Sequence, residues 1–411
     1  MKSVRLSVQY HALSPMVNKG QHGRHGYLPK LIFLGVCCAS FAGDRPEHFR
    51  GEKSLKMEGK GQGLKTTVVG SYPKPDYLKI PDWFKTKIPN YSARMYNQYS
   101  AEEAKECEES LKRALKECME EQSSLGIDVI TDGETRRENY IYPFCRALKN
   151  FSFTELTFKV YRNGATKNHV PTVIGPLEPA SADPWCAKEW QESQAMTKTP
   201  VKYTMPGPMT IMGSTANKYY KTEKDWSEAL VKLVNREVRA LAAAGCKYIQ
   251  IDEPVMVRSP EIAMDYGIDH LTRCFEGVGP EVEKTVHLCC GYPAYLDQTD
   301  YMKADRSIYM NLAEKLDNSG LDAFSIEDAH QHNDLTLLEK FKKTKVIFGV
   351  VAIAKSRVET VEEIKSRVME ALKHIPKERL ILAPDCGLAF LPRDILRQKL
   401  SNMVAAAKSV V

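Results

Sequence analysis

The fold is decided by residues 346–407, which read VIFGVVAI at 346–353, VEEIKSRVMEALKH at 361–374, LILAPDCG at 380–387 and RDILRQKLSNMVAAA at 393–407. Each apolar, β-branched run is short and ends in a polar or special residue. Each is followed by a longer amphipathic stretch, so the segment reads as two consecutive strand–helix units. The same beat runs back to Lys65: strands are predicted over 66–71, 128–134, 201–208, 248–254, 285–291 and 323–328, and helices over 101–125, 223–244 and 305–319. Eight units in all predict an α/β protein, a (β/α)8 TIM barrel. The Phe-, Thr- and Val-rich stretch 151–174, centred on Asn163-Gly164, reads as a β-hairpin inserted after the second βα unit. A doubly wound open sheet is the competing architecture. In such a sheet only the strands flanking the switch point need polar ends, whereas here nearly every strand has one.

Composition bounds the function. The chain has 411 residues, 43% hydrophobic and 27% charged, which excludes disorder, collagen and a minimal disulfide scaffold. The longest apolar run, 31–42, is too short to span a bilayer and contains Gly35 and Ser40, so no membrane partner is expected. Residues 1–56 hold nine of the 58 Lys/Arg and three of the 52 acids, so they account for the whole net charge of +6 and the remaining residues balance. With no basic stripe in the folded part, no nucleic-acid partner is expected. The basic stretch 1–56 reads as an extension, disordered or a targeting segment, ahead of a catalytic barrel at 57–411. Translation starting at Met57 fits equally well. Eleven scattered Cys suit a reducing compartment: the cytoplasm, or the mitochondrion if 1–56 is a transit peptide.

In Val286-His287-Leu288-Cys289-Cys290, His287 and Cys289 stand two apart on a predicted strand and leave the same face. A buried core pair is the competing reading. Glu327 ends the sixth strand and Cys386 the eighth, so a barrel would bring His287, Cys289, Glu327 and Cys386 to one mouth. That N, S, O, S set suits tetrahedral Zn2+, whereas soft thiolates disfavour magnesium and calcium. Zinc held by two thiolates is a weak activator of water but a good holder of a substrate thiol, which it keeps as thiolate near neutral pH.

Seven motifs occur in the order found in one family: Val69-Gly70-Ser71-Tyr72-Pro73, Asp132-Gly133-Glu134, Pro206-Gly207-Pro208-Met209-Thr210, Gln250-Ile251-Asp252-Glu253-Pro254, His287-x-Cys289, Ile326-Glu327 and Pro384-Asp385-Cys386-Gly387-Leu388. From about Lys65 onward the chain resembles the catalytic C-terminal barrel of cobalamin-independent methionine synthase. The resemblance implies zinc on His287, Cys289, Glu327 and Cys386, with homocysteine as the thiol substrate. It further implies that Glu134 and Asp252 bind the ammonium group of homocysteine and that Ser71 lies against its carboxylate. Charge-assisted hydrogen bonds make two acids a sound ammonium site. An ion pair of either acid with Arg136, Arg137 or Arg258 is the alternative.

The chain also departs from that family. The residues ahead of Lys65 are too few to encode the family's second, N-terminal barrel. Where strand seven of the family carries an Asp-x-His pair, this chain has Ala352 and Ala354, and Gly213-Ser214-Thr215 replaces a region bearing a Trp. The methyl or alkyl donor is therefore left open. A shortened relative, epoxyalkane:coenzyme M transferase, opens an epoxide with a sulfonate-bearing thiol, and Lys355 and Arg357 could pair with such an anion. A leaving group needs an acid, and His330, just beyond Glu327, is the expected proton donor in place of the missing strand-seven His. Orienting Glu327 is its alternative role. The competing functions are a metal-free barrel like uroporphyrinogen decarboxylase and a non-catalytic scaffold.

Overall fold

The computed structural model describes residues 63–80, 82, 101–161, 166–301 and 303–410. The extension 1–56, Met57 and the Asn163-Gly164 turn lie outside the described residues. Eight strands form the ring: β1 (Lys65–Thr66), β2 (Ile130–Thr131), β3 (Val201–Pro206), β4 (Tyr248–Asp252), β5 (Glu283–Leu288), β6 (Ala323–Ile326), β7 (Lys345–Val351) and β8 (Leu380–Pro384). Every neighbouring pair from β2 to β8 is parallel, and β1 pairs parallel with β8. A parallel bridge from Thr67 to Val129 joins the two remaining edges and closes the barrel. Closure rules out the open sheet, which would leave two edge strands unpaired.

Helices follow most strands. Glu223–Ala243 begins at an N-cap where the Thr222 side chain accepts from Asp225 N–H. It buries Trp226, Leu230, Val234, Val238 and Leu241 at three- to four-residue spacing, about 1.5–3 kcal/mol for each fully buried apolar side chain. Val361–Ala371 starts with a capping box between Thr360 and Glu363. Two connections break the pattern. After β4, Pro254 and Pro260 can stand only at helix starts, so the chain makes short turns, Pro254–Arg258 and Pro260–Ile262, before Ile268–Arg273. After β6 there is only a 3-10 turn, Leu335–Lys340.

Between β2 and β3 in the chain, strands Leu148–Tyr161 and Thr166–Pro179 pair antiparallel, and the short strand Ala216–Asn217 adds parallel to the second. The first two barrel strands are shorter than predicted because the backbone leaves the ladder early. Past β2, Gly133 (φ 68°) and Glu134 (φ 53°) take a left-handed conformation that costs a non-glycine residue strain. These and the other strand ends form the mouth of the barrel.

Candidate active site

Three of the four predicted ligands meet. His287 lies on β5, Cys289 just past its end, and Cys386 just past β8, and their ligand atoms fall within 4.8 Å of one another. His287 Nδ1 is 3.0 Å from Ser325 Oγ on the adjacent β6, which leaves Nε2 facing Cys386 Sγ at 3.4 Å. A hydrogen-bonded Nδ1 fixes the ring so that Nε2 is the nitrogen presented to a ligand. Hydrogen bonding between the two sulfurs, with His287 beside them, holds the Cys289 thiol well below its ordinary range. The same sulfur contact drives Cys386 well above it. Burial works to lower the His287 pKa, but hydrogen bonding to Cys289 and its charge raise it overall.

Glu327 sits next to this trio but faces elsewhere. Its oxygens accept from Lys303 Nζ at 2.9 and 3.0 Å and from Cys290 N–H at 3.3 Å. One of its oxygens lies within 4.8 Å of a ring nitrogen of His330 and a carboxylate oxygen of Asp385. Burial raises the Glu327 pKa against the opposing charge of Lys303.

A cavity of about 180 Å³ opens beside the thiols, and its walls include Ser71, Glu134, Asp252, His287, Cys289 and Cys386. Glu134 Oε1 accepts from Thr204 Oγ1 at 2.7 Å and lies 3.6 Å from Arg137 Nη1. Arg136 instead reaches Asp132 and Glu192. Asp252 Oδ1 accepts from Gln250 Nε2 at 2.7 Å. Burial, together with the nearby Glu134 charge, pushes the Asp252 carboxyl up to about 7. Ser71 fits because residue 387 is glycine: a Cβ there would come 2.1 Å from Ser71 Oγ.

His330 does not line this cavity. Its Nδ1 is 2.7 Å from Asp385 Oδ2, and its Nε2 accepts from Ala354 N–H at 3.3 Å. Both ring nitrogens are thus engaged by protein. Arg357 pairs with Glu363, and Lys355 is exposed. Tyr72 is buried with its hydroxyl on Glu121.

Several site residues were not singled out from the sequence. Lys303 lies in a loop without motif. Asp385 stood in a motif of which only Cys386 was read. Glu253 accepts from Met209 N–H, Thr210 N–H and Thr210 Oγ1 at 2.8–2.9 Å and so ties the β3 loop to β4. Burial pushes its carboxyl up to about 8.

A closed α/β barrel whose C-terminal mouth joins an imidazole and two thiols to a pair of buried acids has the makings of a barrel-enzyme active site. Residues 64–409 match the family model described as the cobalamin-independent synthase catalytic domain. The chain is 31% identical over 343 residues to the methionine synthase of Sulfolobus acidocaldarius, spanning 83% of this chain and 90% of that one. It is 30% identical over 351 residues to the methionine synthase of Saccharolobus solfataricus, spanning 84% and 95%. Among solved structures it is similar to a B12-independent methionine synthase from a Shewanella species in complex with selenomethionine, with TM-score 0.71, 28% identity, and coverage of 84% of this chain and 97% of that one. The chain belongs to the family of cobalamin-independent methionine synthase catalytic domains, and it is an enzyme of the methyltransferase class. No described helix is long and apolar enough to cross a membrane.

Proposed function

We propose that this chain is a zinc-dependent S-methyltransferase that converts homocysteine to methionine. The observation that carries the reading is the meeting of His287, Cys289 and Cys386 within 4.8 Å on the wall of a cavity that Glu134 and Asp252 also line. The donor chemistry fits zinc: one imidazole and two sulfurs, with Glu327 adjacent as the fourth donor expected from sequence. Zinc bound there would keep the substrate sulfur as a thiolate at neutral pH.

The chain's own groups do the rest. Ser325 orients the His287 ring through Nδ1. Glu134 and Asp252 take the substrate ammonium, and Ser71 receives its carboxylate end. Anchoring both ends of the amino acid aims its sulfur at the thiol corner, which is positioning catalysis. His330, held by Asp385 and Ala354, orients the Glu327–Asp385 wall.

Metal analysis and thiol titration test the reading. Purified chain should retain about one zinc, and homocysteine should release a proton on binding. A chain that holds no zinc and gives no response to homocysteine would overturn it.

A further inference from the structure

Below the cavity, inside the barrel, lies a lysine that the reaction scheme above leaves unused. Lys202 on β3 is 3% exposed, and its Nζ donates to Val68 O and to Gln250 Oε1, both at 2.6 Å. Gln250 on β4 is fully buried and donates from Nε2 to Val69 O at 2.9 Å and to Asp252 Oδ1 at 2.7 Å. Three side chains thus run in series from the barrel interior to the cavity wall.

The chemistry gives the series a direction. A carboxamide has one accepting and one donating end, and it can flip between them. A lysine ammonium only donates. Lys202 therefore fixes Gln250 with its oxygen inward, and the amide must present N–H outward. The flipped amide would set NH2 against NH3+ and oxygen against the Val69 carbonyl and the Asp252 carboxylate. Asp252 accepts that N–H, and the bond occupies Oδ1 while leaving Oδ2 for a ligand. Asp252 is 6% exposed, so the direction of its one side-chain donor decides which oxygen faces the cavity.

We infer that Lys202 is a positioning residue for substrate amine recognition: acting through Gln250, it holds the Asp252 side chain by Oδ1 so that Oδ2 is aimed at the ammonium group of the amino-acid substrate. The inference rests on the homocysteine reading above. It adds a device, rooted in the barrel interior and out of reach of the substrate, that sets selectivity for an α-amino thiol over a plain one.

The test compares homocysteine with 4-mercaptobutanoate, the same thiol acid without the amine, by calorimetry on the zinc-loaded chain. Lys202→Met should weaken homocysteine about 10- to 100-fold, the scale of a lost hydrogen bond to a charged group, and leave 4-mercaptobutanoate within about threefold. Gln250→Glu keeps a partner for Lys202 and the side-chain size but replaces the donor to Asp252 with a repelling oxygen. It should reproduce the selective loss, and it carries the test alone if Lys202→Met does not fold. Equal losses for the two thiols, or homocysteine binding unchanged in Gln250→Glu, would overturn the inference while leaving the parent reading intact. Wild-type chain that binds neither thiol would overturn both.

Discussion

Two clusters lie side by side at the barrel mouth, one an imidazole with two thiols and the other an imidazole with two carboxylates, and they differ in how far the protein satisfies them. In the thiol corner, Cys289, Cys386 and His287 Nε2 face one another, while His287 Nδ1 is tied outward to Ser325 and Cys386 takes the Gly387 backbone N–H. In the neighbouring corner every group has a protein partner. Asp385 accepts from Asp328 N–H and Ala329 N–H at 2.9 Å and from His330 N–H and Nδ1 at 2.7 Å, while Lys303 takes Glu327. Burial works to raise the Asp385 pKa, yet His330 and the backbone donors hold it below its ordinary value. Buried polar groups that are fully paired hold a fold together, whereas groups left facing one another are available to a ligand. That difference makes the first corner the candidate for ligand binding and the second its candidate frame.

The sharpest way to break this contrast is to remove a sulfur. Cys386→Ser should bring zinc per chain close to nothing by metal analysis and lower turnover more than about 100-fold, with little change in melting temperature of the metal-free chain. The opposite pattern belongs to the frame. Lys303→Met leaves the Glu327 carboxylate buried without its cation, and should cost about 3 kcal/mol in urea unfolding of the metal-free chain. If Glu327 is the fourth ligand, adding zinc should recover much of that loss, because the freed carboxylate gains a new partner. A loss of stability that zinc does not relieve would assign Glu327 to the frame alone.

On the amine side, Asp252→Asn keeps the shape but removes the charge. Homocysteine should bind about 10- to 100-fold more weakly by calorimetry while zinc content stays at the wild-type level. Loss of zinc together with affinity would merge the two halves of the cavity into one unit. Glu253 sharpens the contrast through pH. Its carboxyl is raised from an ordinary 4.5 to about 8, so the native state binds the proton more tightly than the unfolded chain. That contribution is fully present below about pH 4.5 and is lost as pH rises to about 8. Glu253→Gln should flatten this part of the stability curve in urea melts between pH 5 and 8.

The repeating strand and helix periods were legible because each element carries its own pattern, as 223–243 and 361–371 show. The meeting of His287 and Cys289 was legible because a strand repeats every two residues. What stayed hidden depends on partners distant in sequence. A lysine at 202 reads as a surface charge until the barrel closes around it. Glu134 reads as a strand end, although the ladder stops at Thr131 and a left-handed backbone carries it to the cavity wall. Nothing near Glu327 shows that Lys303 holds it, and nothing near His330 shows that Asp385, 55 residues later, takes its Nδ1.

For His330 the geometry favours the alternative sequence reading, a positioning role beside Glu327, over the proton donor, and its replacement has the smallest expected effect. A proton donor must reach the leaving group, and its loss typically costs about 10²- to 10⁴-fold in rate. His330 lies off the cavity wall, gives Nδ1 to Asp385, and takes Ala354 N–H on Nε2, so no ring nitrogen is left to serve a substrate. A group so placed acts by holding the segment after β6 against β7 and β8. His330→Asn should therefore lose about 1 kcal/mol of stability, the worth of an ordinary hydrogen bond, and keep turnover within about fivefold with zinc intact. A rate loss of a hundredfold or more at unchanged zinc content would restore the acid role. It would also mean that the loop bearing Ala354 releases the imidazole during the reaction, which makes the frame itself a moving part.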